Sequence, residues 1–166
     1  MINKDKKEIS YRYVTSEDLP FLIEVEESSN PHPWTKGNFK DCLERNHYCL
    51  LQLYNDKPTG FAIQSIALDE AHLLNIGISE EYRRIGLGGD LLDQILFASK
   101  AMGCLRIILE VRKSNIGAIS LYESQGFKNL SLRKGYYKLG PKREDAIIMT
   151  KNLKKTWKNY LIDRKY

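Results

Sequence analysis

The segment EYRRIGLGGDLL, residues 81–92, places two arginines and three glycines at the start of an apolar helical pattern. Glycine disfavours helix interiors, and the first N–H groups of a helix have no partner within it. The helix dipole makes that end positive, glycine lets an anion approach the backbone closely, and Arg83 and Arg84 add charge. The segment therefore predicts a phosphate or pyrophosphate site. The alternative is a glycine-rich turn with two solvated arginines.

The composition is that of a globular protein with one core. The chain has 166 residues, of which 42% are hydrophobic and 28% charged, and its net charge of +5 favours acidic or phosphorylated partners. The three cysteines and three histidines lack metal-ligand spacing, so we expect no metal site and no disulfide framework. No apolar run follows the basic N-terminus or reaches membrane-spanning length. We therefore expect a cytoplasmic protein without a membrane partner.

Hydrophobic periodicity and turn residues predict a mixed α/β fold, a sheet with helices on its faces. The predicted strands cover residues 8–15, 47–54, 60–68, 71–79, 104–112, 127–133 and 145–153. The predicted helices cover residues 17–29, 36–46 and 115–125, and a further helix runs from the glycine-rich segment to about Met102. No shift in composition marks a second domain. We expect a single domain over residues 1–153, followed by a basic tail, residues 154–166.

The hexapeptide RRIGLG, residues 83–88, matches the R/Q-x-x-G-x-G/A motif of the GCN5-related N-acetyltransferase (GNAT) family. Four further segments resemble the bacterial ribosomal-protein-alanine branch of that family, the RimI type: NPHPWTKGNF (30–39), LDEAHLLNIGI (68–78), LEVRKSNIGAISLYESQGF (109–127) and RKGYYKLGPKREDAIIM (133–149). The resemblance implies the GNAT fold, a central mixed, mostly antiparallel sheet flanked by helices. It also implies acetyl-CoA as donor and the N-terminal alanine of a small-subunit ribosomal protein as acceptor.

The resemblance assigns donor-binding residues to three places. The pyrophosphate is held by Arg83, Arg84, Ile85, Gly86, Leu87, Gly88 and Gly89, although the family usually has a further basic residue where this chain has Gly89. Glycine inside a strand marks a bulge or a close backbone approach, and in the family the segment Ile76, Gly77 and Ile78 offers backbone groups to the pantetheine arm and the thioester carbonyl. Asn115 touches the cofactor in the family, and it also suits the N-cap of the helix that follows it.

Acetyl transfer to an amine requires a neutral nucleophile, and a nearby carboxylate can accept its proton. Glu110 stands among strand formers, where it either accepts that proton or pairs with Arg112 on the same strand face. Tyr122 is either a core aromatic at helical spacing or a phenol that protonates the departing thiolate. The resemblance implies that Glu110 is the base and Tyr122 is the acid.

Three aromatic residues are candidates for acceptor binding. Tyr136 and Tyr137 stand between two predicted strands, either as surface tyrosines of a hairpin or, as in similar N-terminal acetyltransferases, as a pair that holds the peptide backbone. Trp34 follows two prolines and either walls the acceptor groove or anchors the core.

Two other functions stay open at this point. The same fold could acetylate a small-molecule amine or a protein lysine, which the tyrosine pair and the overall match disfavour. The chain could instead be a non-enzymatic basic module that binds RNA or the ribosome, in which case the tail, residues 154–166, would contact phosphates and stack on bases.

Overall fold

The computed structural model describes residues 8–153. Over this range the elements are β1 (Ile9–Tyr13), α1 (Leu19–Ser29), α2 (Lys36–Glu44), β2 (Tyr48–Tyr54), β3 (Lys57–Ala67), β4 (Glu70–Ile78), α3 (Leu87–Ala101), β5 (Arg106–Arg112), α4 (Ile116–Ser124), β6 (Lys128–Leu139) and β7 (Lys142–Asn152). Short 3₁₀ turns at Ser16–Asp18 and Glu80–Tyr82 precede α1 and the glycine-rich segment. The predicted basic tail lies outside the described residues.

The strands form one sheet in the order β1-β2-β3-β4-β5-β7-β6. β1 pairs with β2, β5 with β7 and β6 with β7 in antiparallel fashion, whereas β4 and β5 are parallel. Helix α3 provides the long connection that a parallel pair needs. The predicted mixed, mostly antiparallel sheet flanked by helices is confirmed. Contacts along the chain divide the described residues into two units, residues 8–63 with 76–91 and residues 64–75 with 92–153.

The first unit has an apolar core formed by α1, α2, β2 and β3. Its most deeply buried side chains are Leu22, Phe39, Leu51, Phe61 and Ile63. Thr35 caps the N-terminus of helix α2, because its hydroxyl accepts a hydrogen bond from the backbone N–H of Asn38.

The second unit buries one face of β5 and one face of α3 from Leu92 onward. Ile107, Leu109 and Val111 alternate with more exposed residues along β5, so Glu110 and Arg112 lie together on the other face of this strand. Helix α4 ends at Ser124 and is followed by Gly126 at φ +83°, a conformation that favours glycine after the C-terminus of a helix.

The sequence-based boundary of β6 is wrong. The segment GYYKLG was expected between two strands, but Tyr136 and Tyr137 lie inside β6, and the turn to β7 falls at Gly140 and Pro141. The pairing of β6 with β7 shifts register between Arg133 and Tyr137, which is a β-bulge. The bulge interrupts the two-residue alternation from which strands are predicted, so the strand seemed to end early.

The described part of the chain has no helix both long and apolar enough to cross a membrane. Within residues 8–153, no group of three or more His, Cys, Asp or Glu side chains is arranged to hold a metal ion. All three cysteines are buried and free.

Candidate active site

The glycine-rich loop joins the 3₁₀ turn after β4 to helix α3 in the first unit. Leu87 anchors it, since its side chain is buried and its carbonyl accepts a hydrogen bond of 2.9 Å from Nε2 of the buried Gln52. Gly86 has φ +97°, a conformation that favours glycine, and its carbonyl accepts the N–H groups of Gly89 and Asp90. A Cβ on Gly86 would meet no described atom within 4 Å. The loop therefore leaves open space at the start of α3.

The two neighbouring arginines have different environments. Arg83 Nε donates to the carbonyl of Ile78 at 2.9 Å, and Arg83 Nη2 donates to the hydroxyls of Ser28 and Ser29 at 3.0 and 2.8 Å. Arg84 is exposed, has φ +62°, and makes no hydrogen bond or ion pair with any residue in the described range. Arg83 thus fastens the end of β4 to the end of α1, whereas Arg84 is the loop cation that is available to an anion.

Gly77 allows β4 to pack closely within the first unit. A Cβ at this position would lie 2.8 Å from Val25 Cγ1 and 3.1 Å from Phe61 Cε1. A Cβ on Gly60 would lie 2.7 Å from the Gly77 carbonyl oxygen. The absence of a side chain at Gly77 therefore lets Val25 and Phe61 pack closely against the backbone of β4. Donor binding by the backbone of residues 76–78 stays a prediction.

In the second unit, Glu110 lies in a cluster with two side chains of β6. Arg133 Nη1 donates to Glu110 Oε1 at 2.5 Å, with the carboxylate side chain 30% and the guanidinium side chain 52% exposed. The Tyr136 hydroxyl also donates to Glu110, and this hydrogen bond raises the pKa of Tyr136. The Arg133 guanidinium carbon lies 5.2 Å from the centroid of the Tyr136 ring. Two groups therefore hold the Glu110 carboxylate.

Strand register brings these groups to one face of the sheet. Glu110 of β5 pairs with Ile148 of β7, which pairs with Ser131 of β6. Arg133 stands two residues beyond Ser131, on the same face. It reaches Glu110 across β7.

The bulge in β6 is pinned at Gly135, which has φ +57°. The Gly135 N–H donates to Asp145 Oδ1 at 2.9 Å, and its carbonyl accepts from Arg143 Nε at 2.5 Å. Successive residues of a regular strand face opposite ways, but here the ring centroids of Tyr136 and Tyr137 lie 5.0 Å apart, and each ring lies against an arginine on the Glu110 face of the sheet. The bulge thus directs two adjacent tyrosines toward one carboxylate.

A second ion pair lies beside the first. Arg112 Nη1 lies 3.3 Å from Glu144 Oε2, and the guanidinium carbon lies 4.3 Å from the centroid of the Tyr137 ring. Hydrogen bonds from Ser114, together with the Arg112 guanidinium, lower the pKa of Glu144. The alternative in which Glu110 pairs with Arg112 is therefore wrong, because Arg112 pairs with Glu144.

Tyr122 of α4 is buried, with 6% of its surface exposed, and its ring centroid lies 5.7 Å from that of Phe127. Burial raises the pKa of Tyr122, and the neighbouring Tyr137 raises it further. Burial likewise raises the pKa of Tyr137 to about 12. Tyr122 is thus a core aromatic that keeps its proton at neutral pH, the state that a proton donor needs.

Family comparison identifies the fold. Residues 14–127 match the family described as Acetyltransferase (GNAT) family. The chain belongs to that family. It is 39% identical over 132 residues to the [Ribosomal protein bS18]-alanine N-acetyltransferase of Escherichia coli strain K12. The aligned region covers 80% of this chain and 89% of that relative. It is 35% identical over 147 residues to the putative [ribosomal protein bS18]-alanine N-acetyltransferase of Bacillus subtilis strain 168. This aligned region covers 87% of this chain and 95% of that relative.

A solved GNAT structure has the same architecture. The crystal structure of the ribosomal-protein-S18-alanine N-acetyltransferase from Escherichia coli matches with a TM-score of 0.83 and 34% identity, over 92% of this chain and 98% of that one. The GNAT fold predicted from the sequence is confirmed.

Two other predicted residues of this GNAT chain have clear structural roles. Asn115 is the N-cap of α4, because its Oδ1 accepts the N–H of Ala118 at 3.1 Å. Trp34 packs against the core of the first unit, and its backbone N–H donates to the buried carboxylate of Glu26 at 3.1 Å. Contacts of Asn115 with the donor and of Trp34 with the acceptor stay predictions.

Several residues that hold the site are far in sequence from their partners and carry no local signal. Arg133 lies 23 residues from its partner Glu110, and Gln52 lies 35 residues from the Leu87 carbonyl. Glu144 belongs to a segment recognised only by resemblance. No local pattern distinguishes these polar residues from solvated ones, and only the pairing of the strands identifies them.

Proposed function

We propose that this GNAT chain transfers the acetyl group of acetyl-CoA to the N-terminal amine, on alanine, of a small-subunit ribosomal protein. The observation that carries the proposal is the Glu110 carboxylate beside Tyr136 and Tyr137 on a bulged strand. An amine acceptor needs a nearby base, and a peptide needs side chains that hold its backbone. The similarity to relatives named for acetylation of bS18 supports this acceptor.

The glycine-rich loop suits the donor's pyrophosphate. Arg84 supplies a cation without a partner in the described range, and Gly86 leaves space above the first turn of the 15-residue helix α3. We assign Arg84 through Gly89 and the backbone of residues 76–78 to direct contact with the donor. Arg83 supports the loop from behind through Ile78 and α1.

The chemistry is direct transfer. The neutral amine nitrogen attacks the acetyl carbonyl carbon, so a nitrogen–carbon bond forms and the carbon–sulfur bond breaks. Glu110 accepts the proton that the amine loses, directly or through a water. Tyr122 gives its proton to the departing thiolate and regains one from solvent. The raised pKa of Tyr122 keeps this proton in place until the thiolate forms.

Mass spectrometry tests the proposal. The protein is incubated with acetyl-CoA and a peptide carrying the N-terminal sequence of bS18 beginning with alanine, and fragmentation locates the acetyl group. We expect the acetyl group on the α-amine. The control is a peptide without lysine whose N-terminus is formylated, and we expect no acetyl transfer to it. A polyamine panel runs in parallel. Acetylated polyamine without acetylated peptide would overturn the acceptor class, and transfer to no amine would contradict the proposal as a whole.

A further inference from the structure

The charges around Glu110 are balanced. Arg133 pairs with Glu110 at 2.5 Å, and Arg112 pairs with Glu144 at 3.3 Å, so two carboxylates face two guanidiniums. At the bulge, two further side chains of opposite charge bind the backbone of Gly135: Asp145 accepts its N–H, and Arg143 donates to its carbonyl.

The remaining groups add no negative charge. Tyr136, whose pKa Glu110 raises, and Tyr137, whose pKa burial and Glu110 raise, are neutral at pH 7, as is Tyr122, whose pKa burial and the neighbouring Tyr137 raise. The exposed side chains of Lys134 and Lys138 add positive charge at the rim of β6. The surroundings of Glu110 therefore have no excess of negative charge to attract an ammonium group.

We propose that Arg133 makes the acceptor site select neutral amines and thereby favours α-amines over lysine side chains. This inference rests on the proposed acetyl transfer and names a specificity determinant for it. An isolated carboxylate would attract an ammonium ion, but Oε1 of Glu110 already has a cationic partner. Arg133 touches Glu110 and not the reacting atoms, so it is a positioning residue.

The selection follows from the ordinary pKa values of the two amines. An α-amine has a pKa of about 8, so about one in ten is neutral at pH 7. A lysine amine has a pKa of about 10.4, so fewer than about one in a thousand is neutral. A site that admits the neutral form thus discriminates by about 10²-fold before any other contact with the peptide.

The protons balance along this route. The ammonium form first gives one proton to solvent, and the neutral amine then attacks the acetyl carbonyl carbon. A second proton then passes from the attacking nitrogen to Glu110, which later releases it to solvent, while Tyr122 protonates the thiolate as the carbon–sulfur bond breaks. Arg133 compensates the negative charge of the carboxylate before the amine arrives, and Glu110 accepts the amine proton on a lone pair that Arg133 and Tyr136 do not use.

Two substitutions at Arg133 test the inference. Arg133→Gln removes the charge and keeps a hydrogen-bond donor, whereas Arg133→Lys keeps the charge. Lys134→Gln is the matched control, because it removes a neighbouring cation of β6 that has no carboxylate partner in the described range. kcat/KM is measured with an alanine-initiated peptide lacking lysine and with an N-blocked peptide holding one lysine. We expect the α-amine to lysine ratio to fall about tenfold in Arg133→Gln and to stay unchanged in the other two variants.

The pH dependence is a second readout, which a merely structural role would not move. In the unmodified protein, kcat/KM for the alanine peptide should rise about tenfold per pH unit below about pH 7 and level off above about pH 8, following the neutral amine. In Arg133→Gln this slope should become shallower, because uncompensated Glu110 also admits the ammonium form.

Several results would overturn the inference. One is an unchanged ratio and an unchanged pH slope in Arg133→Gln, even if both activities fall equally. If that variant does not fold, a pH-independent kcat/KM below pH 8 in the unmodified protein still overturns it. Failure of the unmodified protein to acetylate either peptide would instead overturn the proposed function, which separates the two cases.

Discussion

The glycine-rich loop and the Glu110 cluster use arginine in opposite ways. In the loop, Arg84 is exposed and has no partner in the described range, beside backbone that a glycine leaves open. In the cluster, Arg112 and Arg133 are both paired with carboxylates and lie against tyrosine rings. A free cation suits the binding of a charged donor, whereas a balanced cluster suits chemistry on an uncharged amine. Substitutions in the loop should therefore change donor binding, and substitutions in the cluster should change turnover.

Glu110→Gln should cause the largest loss. It keeps the shape of the side chain but removes the proton acceptor, so we expect kcat to fall by about 10²–10⁴-fold. Calorimetric titration with acetyl-CoA should give an unchanged affinity, because Glu110 is not assigned to the donor. Glu123→Gln, an exposed change on α4, is the control. Near-normal kcat at pH 7 with chemistry rate-limiting would make Glu110 a structural carboxylate.

Tyr122→Phe should cost less, about 10–10²-fold in kcat, because water can protonate the thiolate in place of the phenol. Since the pKa of Tyr122 is raised, its hydroxyl stays protonated throughout the range from pH 6 to 9. The ratio of variant to unmodified kcat should therefore be constant over that range. A ratio that approaches one as pH rises toward 9 would mean that the phenol had lost its proton, contrary to its burial.

The neighbouring arginines of the loop offer a matched pair. Arg84→Ala should raise KM for acetyl-CoA about 5–10-fold without changing Tm, because it removes a solvated charge. Arg83→Ala removes three hydrogen bonds to Ile78, Ser28 and Ser29, and it should lower the free energy of unfolding by about 1–3 kcal/mol. Steady-state kinetics and thermal unfolding of both variants check this. Equal effects on KM would remove the distinction between the two arginines.

The glycine-rich loop and the Glu110 cluster also differ in how much of each could be predicted from the sequence. The glycine-rich loop was predicted from consecutive residues, because a helix start and its glycines carry their signal locally. The division of labour between Arg83 and Arg84 was not predicted, since Ser28 and Ser29 lie more than fifty residues from Arg83.

The Glu110 cluster depends on strand pairing that no local pattern records. Resemblance supplied Glu110 and Tyr122 as candidates, but Arg133 reaches its partner only through the register of β5, β7 and β6. The same limitation explains the early end predicted for β6. In the sequence, Gly135 is typical of a turn between two strands. In the sheet it has φ +57° and forms a bulge, and the strand continues beyond it.

Glu144→Gln should give the smallest effect and separate the two carboxylates of the cluster. Glu144 accepts from the N–H of Ser114 at 2.7 Å and pairs with Arg112, so losing its charge should cost about 1–2 kcal/mol, or roughly 2–8 °C in Tm at pH 7. Because folding lowers the pKa of Glu144 below its usual 4.5, the carboxylate stabilises the fold above that pH and loses this effect as pH falls. The difference in Tm between Glu144→Gln and the unmodified protein should thus be smaller at pH 4 than at pH 7. Glu123→Gln is the control and should leave Tm unchanged at both pH values. A difference that grows on acidification would contradict the assignment, because the charged form would then not be the stabilising one.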